Sequence, residues 1–556
     1  MNRRGFLKKA SMAALAAKGI GSATDLLGEP TVPAPRAAGA TRARLTVVLN
    51  EPTGKLNRNI LGHFTEHLGA CVYDGMWVGT DSSIPNVQGV RKDTAEALRR
   101  IQAPIIRWPG GCFADTYHWR DGVGPRDKRP TTWNIFWGRE ESNAFGTDEF
   151  VEFCHLSGAS PYLCFNVGSG TVKEDIEWFQ YCNSKDPITV VKQRTANGHA
   201  DPYGVKYWSI GNESWGCGGN FLPEDYANHY ADITTYVSRL AQGQDVQFVA
   251  VGLGTGDWNR KFFETLAERA RPFSRTRIQR VNQLSIHHYF RDGEAVKFSD
   301  KDYYDLLGSV EVLEGMLRRT IGVIDEFTQP EGQYIGIALD EWGVWHPIPS
   351  TGDRALFQPN TLRDGLLAAV TLNSINGFGH RVSMANIAQT FNVLQSLAFT
   401  KGPQMVLTPT YYVFDLYQPH MDAMGLKTVL DSPTYEIEQS GPPLFGFRGR
   451  QRRPKIARDY ISVSASLDES KKKLCLTLVN QHLTDAMEVE IELAAGAAAT
   501  AGKVRELTSA NVRDQNTFDQ PEVIKSPVEK SLSVSGRKFT QTVPAHTLQS
   551  LVLDLA

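Results

Sequence analysis

The stretch YWSIGNESW, at residues 207–215, places a carboxylate, Glu213, at the end of a short apolar run. The stretch IGIALDEW, at residues 335–342, repeats this arrangement with Glu341. Short apolar runs of this kind indicate buried parallel strands. In a (β/α)8 barrel the catalytic groups lie at the C-terminal ends of the strands. The two stretches therefore predict two strands of such a barrel and two residues of its active rim.

Working outward, strand-like runs alternate with amphipathic helices from about Leu56 to Leu394, which is typical of parallel βα units. Two of the intervening helices have clear start signals, at Thr171 and at Pro223. The pattern predicts an α/β fold, a (β/α)8 TIM barrel, with strands at Ile60–Glu66, Ile105–Pro109, Pro161–Val167, Lys206–Asn212, Gln247–Gly252, Leu284–Tyr289, Ile335–Glu341 and Val382–Ala388.

After about Thr400, short strands with tight turns replace the alternating pattern, as in Lys473–Asn480 and Met487–Leu493. This texture predicts an antiparallel, jelly-roll-like β-sandwich. Leu45–Leu49, ahead of the first barrel strand, is also strand-like, and we expect it to join the sandwich. The predicted organisation is a signal and linker at residues 1–42, a sandwich strand at 43–55, the catalytic barrel at 56–400 and the β-sandwich at 401–556.

The composition is that of an ordinary globular protein that is too long for one compact core. Its 556 residues include 59 Lys and Arg against 61 Asp and Glu, a net charge of −2, which argues against nucleic acid as a partner. No run of eighteen or more apolar residues occurs, so the sequence predicts no membrane span.

The N-terminus, MNRRGFLKK, has the spacing Arg-Arg-x-Phe-Leu-Lys that is typical of a twin-arginine export signal. A mildly apolar segment, Ala10–Ala17, follows, with small-residue cleavage sites near Ala23 and Ala40. We therefore expect export by the twin-arginine route and a periplasmic or extracellular mature protein. The alternative for this segment is a basic tail followed by an amphipathic helix.

Two carboxylates at strand ends are the groups that glycoside hydrolysis uses, because one protonates the leaving oxygen and the other attacks the anomeric carbon. Aromatic rings such as Trp215 stack well on sugar faces, although the same rings also serve protein cores. For either glutamate alone, the alternative is a surface residue in a salt bridge. The apolar flanks of Glu213 argue against that alternative.

Several motifs, in order, make the sequence resemble glycoside hydrolase family 51, most of whose members are α-L-arabinofuranosidases. These motifs are GHFTEHLG at 62–69, RWPGG at 107–111, HWRDGVGP at 118–125, GNE at 211–213 and DEW at 340–342. The matches run from Gly62 to Gln389 and cover the whole predicted barrel. A set of independent motifs is far more specific than any one of them.

Position by position, the resemblance implies that Glu213 is the general acid/base and Glu341 the nucleophile, with no cofactor. Asn212 is similar to the family residue that hydrogen-bonds the sugar 2-OH, and Tyr289 to the tyrosine whose hydroxyl supports the nucleophile. The other residues expected to bind substrate are Glu66, Gln389, Trp108 and Cys112.

His287 and His288 are adjacent on a predicted strand and must point to opposite faces, so they are not a metal pair by spacing. We expect one of them to line the pocket and the other to pack. Many family members have Asn where this chain has Cys112, and the usual contact of that Asn with sugar hydroxyls is therefore not implied here.

Three of the seven cysteines, Cys71, Cys112 and Cys217, fall just past the first, second and fourth predicted barrel strands. Three arrangements are open. The simplest for each cysteine alone is a free thiol in the pocket wall. Cys112 and Cys217 could instead form a disulfide in an oxidising compartment. The three thiolates, with His346, could also bind a structural zinc.

The resemblance implies a retaining exo-α-L-arabinofuranosidase that removes terminal, non-reducing arabinofuranosyl groups from arabinoxylan, arabinan or their oligosaccharides. The expected partners are therefore arabinose-containing plant polysaccharides, and a homo-oligomer agrees with the resemblance. One alternative is an endo-β-glucanase or a β-xylosidase, because a minority of the family has those activities. A non-catalytic carbohydrate-binding protein is the other, and it would lack one carboxylate or its supporting residues.

Overall fold

The computed structural model describes residues 42–270, 280–328, 332–347, 354–438 and 455–556, so the predicted export signal and linker lie outside the described residues. Its strands are β1 Arg42–Lys55, β2 Gly62–Phe64, β3 Asn86–Val87, β4 Val90–Arg91, β5 Ile105–Trp108, β6 Thr132–Asn134, β7 Arg139–Glu141, β8 Ser160–Cys164, β9 Tyr207–Ile210, β10 Gln247–Val251, β11 Gln283–Phe290, β12 Gly336–Val344, β13 Val382–Ala388, β14 Ala398–Lys401, β15 Gln404–Leu407, β16 Met424–Asp431, β17 Thr434–Glu438, β18 Lys455–Asp459, β19 Ile461–Leu467, β20 Lys473–Asn480, β21 Met487–Ala494, β22 Ala499–Leu507, β23 Lys530–Leu532, β24 Lys538–Val543 and β25 Thr547–Leu555.

The helices are α1 Lys92–Arg100, α2 Thr147–Ser157, α3 Val172–Asn183, α4 Thr189–Ala196, α5 Pro223–Leu240, α6 Trp258–Ala270, α7 Asp300–Gly308, α8 Val310–Thr328, α9 Leu362–Gly377 and α10 Pro409–Tyr417. Both predicted start signals are used, since Thr171 caps α3 by accepting a hydrogen bond from Glu174 N and Pro223 is the first residue of α5. None of the described helices is long and apolar enough to cross a membrane.

Eight parallel strands close into a barrel in the order β2, β5, β8, β9, β10, β11, β12 and β13. Each of them coincides with one of the eight strands predicted from the sequence, and the predicted TIM barrel is confirmed. Every residue of β5 and of β12 is buried, as expected for strands covered by helices on one face and by barrel side chains on the other. The C-terminal ends of β9 and β12 therefore bring Glu213 and Glu341 to one rim.

The C-terminal region forms a nine-stranded sheet in the order β23-β22-β25-β20-β19-β16-β1-β21-β24. Strand β1 lies inside this sheet, antiparallel to β16 and parallel to β21, so the sheet is built from both ends of the described chain. Side chains from widely separated strands, such as Leu45, Val489, Val543 and Leu553, share one apolar core. A sheet whose distant strands meet in one core is folded as a β-sandwich.

Helices α9 and α10 pack between the barrel and this sheet. Asn373 and Asn376 on α9 donate hydrogen bonds to the hydroxyls of Ser462 and Ser464 on β19, at 3.1 and 2.9 Å. Because these polar groups are buried and paired across the boundary, they fix the orientation of the sheet against the barrel. The sandwich therefore braces the barrel at α9.

The long connection between β5 and α2 carries the small hairpin of β6 and β7 over the rim. Glu141 on β7 accepts hydrogen bonds from His67 Nδ1 at 2.8 Å and from the Tyr73 hydroxyl. Trp108 Nε1 donates to His67 Nε2 at 3.0 Å, so the hydrogen of the His67 ring lies on Nδ1. Burial raises the pKa of Glu141 and His67 lowers it, and the net pKa lies below the usual value. This buried ionised group anchors the hairpin that carries Trp137 into the site.

Candidate active site

The predicted catalytic and sugar-binding residues converge at the C-terminal rim of the barrel. One carboxylate oxygen of Glu213, one of Glu341 and a ring nitrogen of His287 all lie within 4.8 Å of one another. The predicted residues that the structure brings to this rim are Glu213, Glu341, Asn212, Tyr289, Glu66, Gln389 and Cys112.

Glu341 is surrounded by hydrogen-bond donors. Arg107 Nη1 donates to Oε1 at 3.0 Å, and the Tyr289 hydroxyl donates to Oε2 at 2.7 Å. Burial lowers the pKa of Arg107, but Asp340 and Glu341 raise it well above the usual value, so the guanidinium is charged. Burial, together with the negative charge of Glu341, raises the pKa of Tyr289, which keeps its hydroxyl a donor. These two donors hold both oxygens of the Glu341 carboxylate in place.

Glu213 is held more loosely. Its backbone is in the left-handed region, with φ of 40°, and its side chain is 23% exposed. His287 Nδ1 lies 3.0 Å from Glu213 Oε1 and 3.7 Å from Glu341 Oε1, so this ring stands between the two carboxylates. Burial lowers the pKa of His287, but Glu341 and Glu213 raise it, and the net pKa is above the usual value. The exposed side of Glu213 is where a leaving group can be protonated.

Glu66 and Gln389 form a polar wall of the site near Glu341. Glu66 Oε1 accepts hydrogen bonds from Trp137 Nε1 at 3.0 Å and from Phe113 N at 3.1 Å, and Gln389 Nε2 donates to Oε2 at 3.3 Å. Burial raises the pKa of Glu66 to about 7, and the charge of Glu341 adds to this effect while Trp137 opposes it. The oxygens of this buried carboxyl can also accept hydrogen bonds from sugar hydroxyls.

Gly111 lies beside both Glu341 and Glu66, and it has no side chain to fill the space next to them. A side chain there would start 3.1 Å from Glu341 Oε1 and 3.5 Å from Glu66 Oε2. Asn212 lies at the edge of this space, and Arg107 Nη2 donates to its Oδ1. The amide Nδ2 of Asn212 lies 4.0 Å from Cys217 Sγ and has a second hydrogen that it can donate to a sugar hydroxyl.

The free-thiol arrangement is wrong for Cys112 and Cys217, because these residues form a disulfide with a Cα–Cα distance of 5.5 Å. The zinc arrangement is also wrong, because disulfide sulfurs are not thiolates. His346, its fourth ligand, is buried with Nε2 at 3.1 Å from Asp364 Oδ1 and Nδ1 at 3.2 Å from Gly293 O. Cys71 is a separate, buried thiol.

Within the described residues, two groups have metal-ligand spacing, namely Cys112, Glu213 and Cys217, and the trio of Glu213, His287 and Glu341. The first contains the disulfide. The second is the pair of carboxylates with the histidine between them, where Arg107 and Tyr289 already serve Glu341. Both groups belong to the reaction site itself.

The expectation that Trp108 binds substrate is wrong. Trp108 is fully buried, its ring stacks on Phe150 with a centroid distance of 5.1 Å, and its N–H is used by His67. Neighbouring residues on a strand point to opposite faces. Since Arg107 points into the barrel, Trp108 must point outward to the helices.

The sequence analysis missed two site residues, Arg107 and Trp137, and did not decide which of His287 and His288 lines the pocket. Strand alternation could have selected His287, and a family motif could have indicated Arg107. Tyr289 and His287 are two residues apart on β11 and must share a face, while Arg107 lies within the quoted RWPGG motif. Trp137 had no such signal, because it lies in a long connection whose hairpin the sequence pattern did not predict.

Comparison with known proteins supports the same assignment. Residues 97–305 match the α-L-arabinofuranosidase 1 domain, and residues 340–547 match the α-L-arabinofuranosidase C-terminal domain. A Bacteroides ovatus protein named intracellular exo-α-L-arabinofuranosidase is 36% identical over 92% of this chain and 95% of its own length.

Solved structures agree. The family 51 arabinofuranosidase of Xanthomonas axonopodis pv. citri superposes with a TM-score of 0.82 at 32% identity, covering 92% of this chain and 100% of that one. The α-L-arabinofuranosidase of Thermotoga maritima, solved with arabinose, gives a TM-score of 0.80 at 31% identity with the same coverage. The chain therefore belongs to glycoside hydrolase family 51 and is an α-L-arabinofuranosidase.

Proposed function

We propose that the enzyme is a retaining exo-α-L-arabinofuranosidase that releases terminal arabinofuranosyl groups from arabinoxylan, arabinan or their oligosaccharides. In this proposal Glu341 is the nucleophile and Glu213 the general acid/base. Asn212, Glu66 and Gln389 hold the hydroxyls of the sugar.

The observation that carries the proposal is the short distance between the two carboxylates, which have one oxygen each within 4.8 Å of the other. Retaining enzymes place their carboxyl groups about 5 Å apart, whereas inverting enzymes need roughly 6.5 to 9.5 Å to admit a water molecule. The gap between Glu213 and Glu341 suits direct attack on the sugar.

In the first step Glu341 attacks the anomeric carbon while Glu213 gives its proton to the leaving oxygen, which yields an arabinosyl ester on Glu341. The guanidinium of Arg107 and the hydroxyl of Tyr289 orient the carboxylate of the nucleophile. In the second step Glu213, now a carboxylate, takes a proton from water, and that water displaces Glu341 from the sugar.

The amide of Asn212 supports the transition state in both steps. Its Oδ1 is fixed by Arg107, so its Nδ2 donates to the 2-OH of the sugar. A hydrogen bond at this hydroxyl strengthens as positive charge develops on the ring. The link between Arg107 and Asn212 couples the orientation of the sugar to that of the nucleophile.

Exo action is supported by the residues that enclose the sugar. Trp137, carried by the anchored β6–β7 hairpin, donates a hydrogen bond to Glu66, and Gly111 has no side chain to crowd Glu341 and Glu66. The Bacteroides ovatus relative carries exo action in its name.

The stereochemistry of the product tests the proposal. Proton NMR of the first sugar released from an aryl α-L-arabinofuranoside should show the α-anomer before mutarotation. Initial release of the β-anomer would rule out retention. A parallel assay with a soluble β-glucan and an aryl β-xyloside tests the alternative activities, and turnover of either substrate faster than the arabinofuranoside would contradict the proposal.

We also propose that the enzyme is exported by the twin-arginine route to the periplasm or beyond the cell. The support is the spacing of Arg3, Arg4 and Phe6 at the N-terminus and the disulfide between Cys112 and Cys217, which suits an oxidising compartment. Residues 1–42 fused to a folded reporter should carry it across the inner membrane, and the change of Arg3 and Arg4 to Lys should stop this. Equal export of both fusions would contradict the route.

A further inference from the structure

The disulfide between Cys112 and Cys217 joins two loops that each lie beside the reacting groups. Cys112 follows strand β5 and Cys217 follows strand β9, and β8 lies between these strands in the barrel. The bond therefore spans a strand that neither loop belongs to. Both sulfurs are half-buried, and Cys217 Sγ lies 3.5 Å from Glu213 Oε2.

Glu213 depends on its surroundings for its position. Its positive φ is unfavourable for a residue with a side chain, so the surrounding structure must hold it. Among the described residues its carboxylate has one hydrogen-bond donor, His287 Nδ1. The loop that follows folds back on it, since Gly216 N and Gly218 N donate to the carbonyl oxygen of Glu213 at 2.6 and 3.2 Å. Whatever fixes this loop also fixes Glu213.

The segment after Cys112 holds the other side of Glu213. Asp115 accepts a hydrogen bond from Asn212 N at 3.2 Å, and it also accepts from the amides of Val167 and Gly168. Gly218 packs so closely here that a side chain would start 1.8 Å from Asn212 O and 2.6 Å from Asp115 Oδ2. The chain is thus attached to residues 112–115 on both sides of Glu213. Before Glu213, the amide of Asn212 donates to Asp115, and after it, Cys217 is bonded to Cys112.

We propose that the Cys112–Cys217 disulfide positions the acid/base Glu213, so that opening it impairs protonation of the leaving group while the nucleophile keeps its function. The inference rests on the proposed role of Glu213. Glu341 keeps its own two donors when the disulfide opens, because Arg107 and Tyr289 lie on β5 and β11 and not in the joined loops.

Opening the bond consumes two electrons and two protons. With dithiothreitol, its two thiols are oxidised to a cyclic disulfide, and Cys112 and Cys217 each gain one hydrogen. The loop at 213–218 then loses its covalent attachment. In addition, the new thiol of Cys217 can donate to Glu213 Oε2, a donor that the disulfide does not provide. Both changes act on Glu213 and leave the contacts of Glu341 in place.

The test compares aryl arabinofuranosides whose leaving groups range from good to poor, because a good leaving group departs with little protonation. Cys217→Ser opens the disulfide and retains Cys112. We expect kcat/KM, which reports formation of the ester, to fall at least about tenfold on phenyl arabinofuranoside and less than about twofold on the dinitrophenyl compound. Folded wild-type enzyme reduced with dithiothreitol, with reduction verified by thiol titration, should behave as the variant does.

Two controls separate a specific effect on Glu213 from a general loss of structure. Dithiothreitol should not change Cys217→Ser further, and Cys182→Ala, which removes a buried thiol on α3, should keep the wild-type pattern. An equal loss on all leaving groups, or no loss in either opened form, would overturn the proposal. Glu213→Ala is measured on the same series, and a flat response there would refute the role of Glu213 itself.

Discussion

Glu341 and Glu213 face each other across one pocket, but the protein holds them by different means. Glu341 lies within strand β12, is 7% exposed, and receives hydrogen bonds from Arg107 and Tyr289. Glu213 lies just after strand β9, is 23% exposed, and is placed by a tight loop, a disulfide and His287.

The difference follows from the chemistry of each step. A nucleophile must be held in line with the sugar, which the donors Arg107 and Tyr289 do for Glu341. An acid/base must be protonated in one step and ionised in the next, so strong donors on its carboxylate would oppose half of the cycle. Glu213 is therefore positioned mainly through its backbone, which leaves its carboxyl free to exchange a proton.

The largest effect should come from Glu341→Ala. Without the nucleophile, turnover should fall by about 10^4-fold or more on every substrate, including dinitrophenyl arabinofuranoside, because no ester can form. Initial rates on the leaving-group series measure this. Retention of activity on the activated substrate would show that Glu341 is not the nucleophile.

The next effect should come from Glu213→Ala, and it should depend on the substrate. Loss of the acid should reduce turnover of arabino-oligosaccharides by roughly 10^2- to 10^4-fold, while dinitrophenyl arabinofuranoside is affected far less in its first step. Pre-steady-state release of dinitrophenol isolates that step. A uniform loss would contradict the contrast between the two carboxylates.

A smaller effect is expected for Tyr289→Phe, which removes the hydroxyl that donates to Glu341 at 2.7 Å. A hydrogen bond to a charged group contributes about 1.5 to 3 kcal/mol, so kcat/KM should fall about 10- to 100-fold. The matched control is Tyr162→Phe, whose lost hydroxyl donates to Asp340 at 2.8 Å in the barrel interior. If the control loses as much activity as Tyr289→Phe, the effect does not arise at the nucleophile.

The sequence predicted the barrel strands and the two glutamates well because these depend on local patterns. Apolar runs and helix start signals gave the eight barrel strands, and family motifs gave the two glutamates. The disulfide could not be chosen from the sequence, because it depends on how closely the loops after β5 and β9 approach each other. That distance is set by the closure of the barrel and not by residues near Cys112 or Cys217.

Among the polar residues that line the site, the same contrast holds between features set by local motifs and features set by the three-dimensional fold. Tyr289, Asn212, Glu66 and Gln389 lie at strand ends, where motifs identify them. The prediction that Trp108 binds substrate was wrong because Arg107 decides which way Trp108 points. The charge of Arg107 is paired with Glu341 and Asp340 inside the barrel, so the neighbouring Trp108 points outward.

The smallest predicted effect concerns stability. The pKa of Glu66 rises from 4.5 unfolded to about 7 folded, so between these values the folded state binds more protons and stability falls as pH rises. Glu66→Gln removes this cost, and its free energy of unfolding relative to wild type should improve by about 2 kcal/mol between pH 5 and pH 8. Urea unfolding at both pH values measures it.

Glu141→Gln is the control for that experiment. The folded pKa of Glu141 is lowered, so its contribution is present above the unfolded value and lost only as pH falls below about 4.5. Its relative stability should hardly change between pH 5 and pH 8. The same pH trend in both variants would contradict the assignment of the effect to Glu66.

The most direct test of the account is to trap the intermediate. Glu213→Ala, mixed with dinitrophenyl α-L-arabinofuranoside, should form the ester quickly and hydrolyse it slowly, because the base that activates water is missing. Mass spectrometry of the intact protein and of its peptic peptides should show one added arabinosyl unit, located on the peptide that contains Glu341. An adduct on another residue, or dinitrophenol release with no adduct and no burst, would contradict the double-displacement mechanism.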